Sequence, residues 1–549
     1  MKSHARALFV LSSLGLLLAI APAPMEGQEG MVSSDHRLAS QAGAEILAQG
    51  GNAVDAAVAT ALACGVVQPA GSGLGGGGFA VVHGEKGSSV LDFREIAPKG
   101  ASADMYLDAD GQVVPKLSQD GGLAVGVPGE GRGLAQLLAE QGTMTPKQVA
   151  RPAVRLAKGG FDIEHHLLKA LGAKPAMVAL LDSGQMPGLG DTVRRTKLSR
   201  TLNKWASSAG EALYTGAIAQ DVVDSVQAQG GVLTMEDLAD YQPVSREVLV
   251  GQYRGYTILT MPPPSSGGAV LLQVLSVMEG FDLMAMGHNS SEHLHLLAEG
   301  MQHAYADRAQ FMGDPDFVDV PVDRMLDEAR IQEIQSQIWP MRTFESGYYG
   351  SPVTIPEDSG TQHIAVIDAS GQAVALTTTI NTSFGSKVIA KNSGLLLNNE
   401  MDDFVALPGV PNAYGLVGKE SNAVAPGKKP LSSMTPTIVL DPQGQVVMAI
   451  GASGGPLIIS STLQVLSNVI DFGMDPEEAV SAPRMHHQWM PEVLSIEPGI
   501  SRDVQQNLSA RGHELKEWTF FSSVQLVVVE EGLFVGAADP RKGGQPATP

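Results

Sequence analysis

Cysteine is almost absent: Cys64 is the only one in 549 residues. A lone thiol excludes an intramolecular disulfide and any metal site built on several cysteines. Basic residues are scarce as well, with 36 Lys and Arg against 58 Asp and Glu and a formal net charge of −22. That balance gives no overall attraction to nucleic acid or anionic lipid, and neither is expected as a partner. There is no internal repeat, and no stretch reaches the roughly 18 uninterrupted apolar residues of a spanning helix. The mature protein is therefore expected to lack a membrane span. The 63 glycines and 33 prolines have no fibre-like period. What is present is 44% hydrophobic and only 17% charged residues, enough apolar material for a large core and against disorder. At ~150 residues per domain the length fits three or four domains, or one large α/β unit.

Residues 1–25 read as a secretory signal. Lys2 and Arg6 precede a 15-residue apolar run, Ala7 to Ala21, the length of a signal core. Ala21-Pro22-Ala23 has an A-x-A pattern. Export without disulfides fits a bacterial periplasm or the exterior.

From Ser40 to Val67 the sequence is Ala-rich and helical in pattern, broken at Gly50-Gly51 and restarting with Asn52 as a cap. A glycine cluster, Gly71 to Gly78, leads into alternating strand-like segments. A second helix is expected over 290–312, with Asn289 and Glu292 as a capping box. Its apolar stripe is Leu294, Leu297, Met301, Tyr305 and Met312, and Gly313 ends it. Met261 to Gly268 (MPPPSSGG) is expected to be irregular. Residues 340–360 read as a linker, and beyond Thr361 the sequence turns β-rich.

Several motifs invite chemistry. Gly75 to Gly78 lacks the Gly-Lys-Ser/Thr of a phosphate loop and precedes a strand, so a structural turn is the better reading. His486-His487 lacks the spacing of a metal pair. Gly451-Ala452-Ser453-Gly454-Gly455 matches the G-x-S-x-G nucleophile elbow. It follows a strand, and Asp471 with His486 or His513 come later in the required order. A serine hydrolase using Ser453 is one alternative. The hairpin at 361–381 offers another. Its two strands meet at Asp368 to Gly371, so paired positions sum to 739 or 740. Thr361 then faces Thr378 or Thr379, with Asn381 just beyond. A threonine that opens a strand directly after a flexible segment suits a self-cleaving N-terminal nucleophile. Cleavage at Gly360–Thr361 would free an α-amino group of pKa about 7.7–8.0, able to take the proton from its own residue's hydroxyl.

Taken in order, GGNAVDAAVA (50–59), GLGGGGF (73–79), DFRE (92–95), YRGY (253–256) and MPPPSSGG (261–268) resemble the γ-glutamyltranspeptidases. The match continues through YADR (305–308), TQH (361–363), NNEMDDF (398–404), PGVPNAYGLVG (408–418), PLSSMTPT (430–437), GG (454–455) and PRMHHQW (483–489). The resemblance implies an α/β fold, a four-layer αββα sandwich shared by a large subunit (26–360) and a small one (361–549) of a self-cleaved precursor. It implies Thr361 as nucleophile, Thr379 assisting it, and the Gly454 and Gly455 N–H groups as oxyanion hole. Arg94, Ser432 and Ser433 would hold the α-carboxylate of a γ-glutamyl substrate, and Asn381, Glu400 and Asp403 its α-ammonium. Tyr414 would cover the pocket. Ala452-Ser453 stands where the family usually has Ser-Pro. Glutathione, other γ-glutamyl compounds and amino-acid or dipeptide acceptors are the implied substrates; no cofactor or metal is expected. The related cephalosporin acylases are the second reading, and a binding or scaffolding protein without turnover the third.

Overall fold

The computed structural model describes residues 24–350, 360–407, 410, 412–414, 416, 418–518 and 522–549. The expected signal lies outside these residues but for its last two, and Met25 already pairs with Gly536 in a sheet. Thirteen strands make two antiparallel sheets. In chain order they are β1 (Met25–Gly27), β2 (Gly30–Ser34), β3 (Gly77–Gly84), β4 (Gly87–Asp92), β5 (Val244–Arg246), β6 (Leu249–Tyr253) and β7 (Tyr256–Thr260). Then follow β8 (Gln362–Asp368), β9 (Ala373–Thr379), β10 (Thr437–Leu440), β11 (Val446–Ser453), β12 (Ser523–Glu530) and β13 (Leu533–Ala538). The six-stranded sheet runs β2-β8-β9-β3-β4-β5 and the seven-stranded one β1-β13-β12-β11-β10-β7-β6. Each sheet thus interleaves strands from before and after position 360.

Strands β8 and β9 pack on β11 of the other sheet. Their side chains alternate between two cores, as a period of two requires. Ile364, Val366, Val374 and Leu376 face Val54, Val58 and Leu62, while Ala365, Ile367, Ala373 and Ala375 face Ile450, Ala452 and Leu526. Burial on both faces is why these strands read as nearly continuous apolar runs. Helices α1 (Arg37–Ala48) and α2 (Ala53–Val67) meet at the Gly50-Gly51 break, Asn52 and Asp55 form the capping box of α2, and α3 (Glu130–Gln141) packs on α2. Asp368, at the hairpin turn, accepts from the Ala53 N–H at 2.7 Å and so ties that turn to the start of α2.

Two local expectations need correction. Helix α4 (Gly267–Glu279) begins inside the stretch expected to be irregular. A Cβ at Gly267 would meet Thr435 Oγ1 at 2.2 Å, so glycine lets the helix start against that segment. Helix α5 (Ser291–Phe311) is capped by Ser290, whose side chain accepts from the His293 N–H. Asn289 instead adopts a positive φ of 52° and donates its amide to the Pro483 carbonyl, so the Asn289–Glu292 box does not form.

Candidate active site at Thr361

Register places Thr361. The β8–β9 pairs run from Gln362 with Thr378 to Ile367 with Ala373, so positions sum to 740 and Thr361 falls beside Thr379. The two hydroxyls are 3.1 Å apart. Thr361 Oγ1 touches the Gly360 carbonyl oxygen, to which Thr379 also donates at 3.1 Å. The Asn381 N–H donates to Thr379 Oγ1 at 2.8 Å, fixing its lone pair. Behind Thr379 lies the glycine cluster. A Cβ at Gly76 would come within 2.0 Å of the Thr379 carbonyl oxygen. The cluster is therefore a close-approach turn that lets β3 and its loop press on the threonine strand.

A small cavity of about 20 Å³, room for a water or two, opens beside Thr361. All the residues expected to hold a substrate head group line it: Arg94, Asn381, Glu400, Asp403, Ser432 and Ser433, with Tyr414 and Gly455. Arg94 follows the end of β4 and is buried. Its guanidinium contacts Glu400 and lies 2.5 Å from Asp403, while Nε donates to the Pro430 carbonyl at 3.2 Å. Burial opposes its charge, yet Glu400 and Asp403 hold its pKa above the usual value. Burial pushes the carboxyl groups the other way: Glu95 rises to about 8, and Glu400 and Asp403 are also raised. Glu400 Oε2 is a buried acceptor with no partner among the described residues. A cationic donor arriving there would give that oxygen a partner and offset the cost of burying the acidic cluster. Arg94 faces the same space and can take an anion. The pocket therefore suits a group carrying both charges. Tyr414 covers it, its hydroxyl donating to the Asn381 carbonyl at 2.9 Å.

Gly454 and Gly455 form the turn between β11 and helix α6 (Leu457–Ile470), with φ of 134° and 59°. Gly455 lines the small cavity, whereas Gly454 lines a larger one, about 870 Å³, on the other side of Thr361. The rival elbow does not assemble. Ser453 Oγ accepts from Lys542 Nζ at 2.9 Å. His486 pairs with Ser460, His513 with His295, and Asp471 with Tyr253 and Arg254. His487 accepts from the Trp489 N–H.

A family profile described as Gamma-glutamyltranspeptidase matches residues 39–548. The chain belongs to the γ-glutamyltranspeptidase family. It is 41% identical over 530 residues to the glutathione hydrolase proenzyme of Escherichia coli K12, covering 94% of this chain and 91% of that protein. The Bacillus subtilis 168 proenzyme is 38% identical, with 94% and 91% covered. Among solved structures, Helicobacter pylori γ-glutamyltranspeptidase is 42% identical with a TM-score of 0.55, over 58% of this chain and 93% of that one. A Bacillus halodurans cephalosporin acylase superposes with a TM-score of 0.86 over 98% and 99% of the chains, at 27% identity. The mixed α/β architecture with antiparallel sheets is common to these transpeptidases and the acylase.

Sequence reasoning missed Lys542. This buried amine contacts the Thr361 carbonyl oxygen and sits 3.0 Å from Asp35 Oδ2 and 2.9 Å from Ser453 Oγ. It joins the Thr361 backbone to Asp35, just after β2, and to Ser453 at the end of β11. No spacing links it to Thr361, 181 positions away. The last matched block, PRMHHQW (483–489), ends well before it.

Proposed function

We propose that this γ-glutamyltranspeptidase is a γ-glutamyltransferase and glutathione hydrolase that matures by cleaving its own Gly360–Thr361 bond. The observation that carries the reading is Thr361 Oγ1 against the Gly360 carbonyl, beside Thr379, at the mouth of a pocket with a guanidinium and a carboxyl oxygen that has no partner among the described residues. Attack by Oγ1 on the Gly360 carbonyl carbon transfers the acyl group to oxygen, and water then releases a chain starting at Thr361. The large (26–360) and small (361–549) pieces remain together because each sheet is woven from both. Helices α1 and α2 pack on the outer side of one sheet and α4 and α6 on the other, which supports a four-layer αββα sandwich.

In the mature protein the Thr361 amine takes the hydroxyl proton as Oγ1 attacks the γ-carbonyl of glutathione or a related compound. The N–H groups of Gly454 and Gly455 receive the developing oxyanion. The leaving amine takes the proton from the Thr361 ammonium, and a γ-glutamyl ester remains on Oγ1. Water, an amino acid or a dipeptide then resolves it by the same route in reverse. Arg94, Ser432 and Ser433 hold the substrate's α-carboxylate, and Asn381, Glu400 and Asp403 its α-ammonium. Tyr414, which lines the pocket and bonds to the Asn381 carbonyl, covers the bound glutamyl group. The basic start and apolar run at residues 1–25 support export to a bacterial periplasm or the exterior. Among the described residues no helix is long and apolar enough to cross a membrane.

Release of glutamate from glutathione or a γ-glutamyl anilide, with ping-pong kinetics when an amino-acid acceptor is added, is the expected result. Turnover of glutaryl-cephalosporins alone would replace this reading with the acylase one. No turnover of either would leave a binding protein.

A further inference from the structure

Away from Thr361, three buried side chains converge where α5 meets the C-terminal part of the chain. His295 and Glu299 are four residues apart on α5 and share one face. His513 follows a helix at Arg502–Ala510 and approaches from the other side of the cleavage position. One donor atom from each residue lies within 4.8 Å of the other two. The imidazoles meet at 2.7 Å, His295 Nδ1 to His513 Nε2, with their rings at 67°.

The outer atoms of His295 and Glu299 are already held. His295 Nε2 is 2.8 Å from the Trp339 carbonyl oxygen. A carbonyl can only accept, so the ring proton sits on Nε2 and Nδ1 presents a lone pair to the cluster. Both imidazoles are buried, and His513 meets His295 on one side with Arg511 nearby. Glu299 accepts from the Tyr349 hydroxyl at 2.7 Å and the Gln302 amide at 3.0 Å. Burial pushes its carboxyl up to about 7, and its hydrogen-bond partners are a phenol, an amide and a hydroxyl rather than a cation. Arg511 opposes an added cation, but its guanidinium is drawn to the carbonyls of Pro340 and Asn507.

Two buried imidazoles and a carboxyl, with His295 and Glu299 oriented by outer hydrogen bonds, form the donor set of a three-ligand transition-metal site with an open fourth position. We propose that His295, Glu299 and His513 bind a divalent transition-metal ion, Zn²⁺ by preference. On binding, His513 moves its proton from Nε2 to Nδ1, Glu299 releases its proton to solvent, and three lone pairs go to the metal. The ion joins residues before position 360 to one after it. The Trp339 and Tyr349 groups that steady its ligands come from the stretch just ahead of that position. In a cleaved protein the ion would clip the two pieces together. This site is separate from the catalytic reading and stands or falls without it.

Sequence spacing hides the site, since His513 lies 218 positions from His295. The test uses purified protein stripped with EDTA and dialysed, then titrated with Co²⁺ and with Zn²⁺. Co²⁺ is expected to develop the intense visible absorption of a low-coordinate ion, which one equivalent of Zn²⁺ removes. Zn²⁺ alone is expected to raise Tm by a few degrees, because it binds only the folded state. His513→Gln and Glu299→Gln should each weaken Zn²⁺ binding by more than about tenfold. A stripped wild-type protein that gives neither the Co²⁺ absorption nor the Tm rise would overturn the proposal. So would variants that bind Zn²⁺ as tightly as wild type. If His513→Gln fails to fold, the wild-type titrations and His295→Gln decide the matter.

Discussion

Thr361 and Ser453 carry two buried hydroxyls at strand ends, each close to glycines; Lys542 bonds to the carbonyl oxygen of the first residue and to the hydroxyl of the second. Ser453 carries the recognisable motif, yet its neighbours are an ammonium and, at 3.5 Å, the Ser523 carbonyl. Thr361 matches no short motif, but its oxygen touches the carbonyl of the preceding residue and a second hydroxyl, beside a pocket that pairs Arg94 with acidic groups. Chemistry follows the company a hydroxyl keeps: an electrophile in reach, a way to handle its proton, and a place for the substrate. A five-residue pattern specifies only the turn.

The sharpest way to break this comparison is to remove each hydroxyl. Thr361→Ala should remain one chain and lose γ-glutamyl hydrolysis by about 10⁴-fold or more; a gel and an anilide assay read both effects. Next in size come Arg94→Ala and Asp403→Ala. Each leaves a charged end of the bound substrate without its partner, a loss of about 2–5 kcal/mol. At 1.36 kcal/mol per tenfold that is about 30-fold to several thousand-fold in kcat/KM. Self-cleavage should survive, because it needs no glutamyl head group; processed variants with wild-type kcat/KM would remove these charges from substrate binding. Lys542→Met should slow both processing and kcat by about 10- to 100-fold, the worth of a charged hydrogen bond of about 1.5–3 kcal/mol, with KM little changed. Lys542→Arg should recover part of the loss. Ser453→Ala should stay processed and within about fivefold of wild-type activity. A larger loss would restore the serine to the mechanism.

A smaller effect concerns the scaffold that both hydroxyls share. His363 lies between the sheets against Gly451, and burial lowers its pKa to about 3, as it does for His36, while His486 falls to about 4. Unfolded histidines regain a pKa near 6.5 and bind more protons than the folded ones below it. Their contribution is therefore present above pH 6.5 and is lost as pH falls from there toward 4. Because the raised carboxyls of Glu95 and Glu299 gain stability over the same fall in pH, the readout is NMR titration of the individual imidazoles: these three should stay neutral down to about pH 5, and one that titrates near 6.5 would contradict its burial.

Much of the scaffold was legible. The double-glycine break, the Asn52 cap and the Asp368 turn are local signals, and the period-two pattern of β8 and β9 gave the register that sets Thr361 beside Thr379. Helix starts were less so. Asn289 and Ser290 are both good caps, and only the tertiary bond from Asn289 to the Pro483 carbonyl decides between them. At the site, Arg94 and Asp403 lie 309 positions apart, a meeting that no periodicity predicts. Resemblance to a family found it because matched blocks carry the three-dimensional arrangement with them. Lys542 and the His295–Glu299–His513 cluster escaped because they join distant segments outside any block that had a role attached.

The central claim is that Thr361 becomes a chain terminus. Intact-mass spectrometry of the purified wild-type protein tests it most directly. Two species are predicted, the smaller with the mass of residues 361–549 and an N-terminal Thr-Gln-His. A single full-length species that nevertheless turns over γ-glutamyl anilide would contradict it.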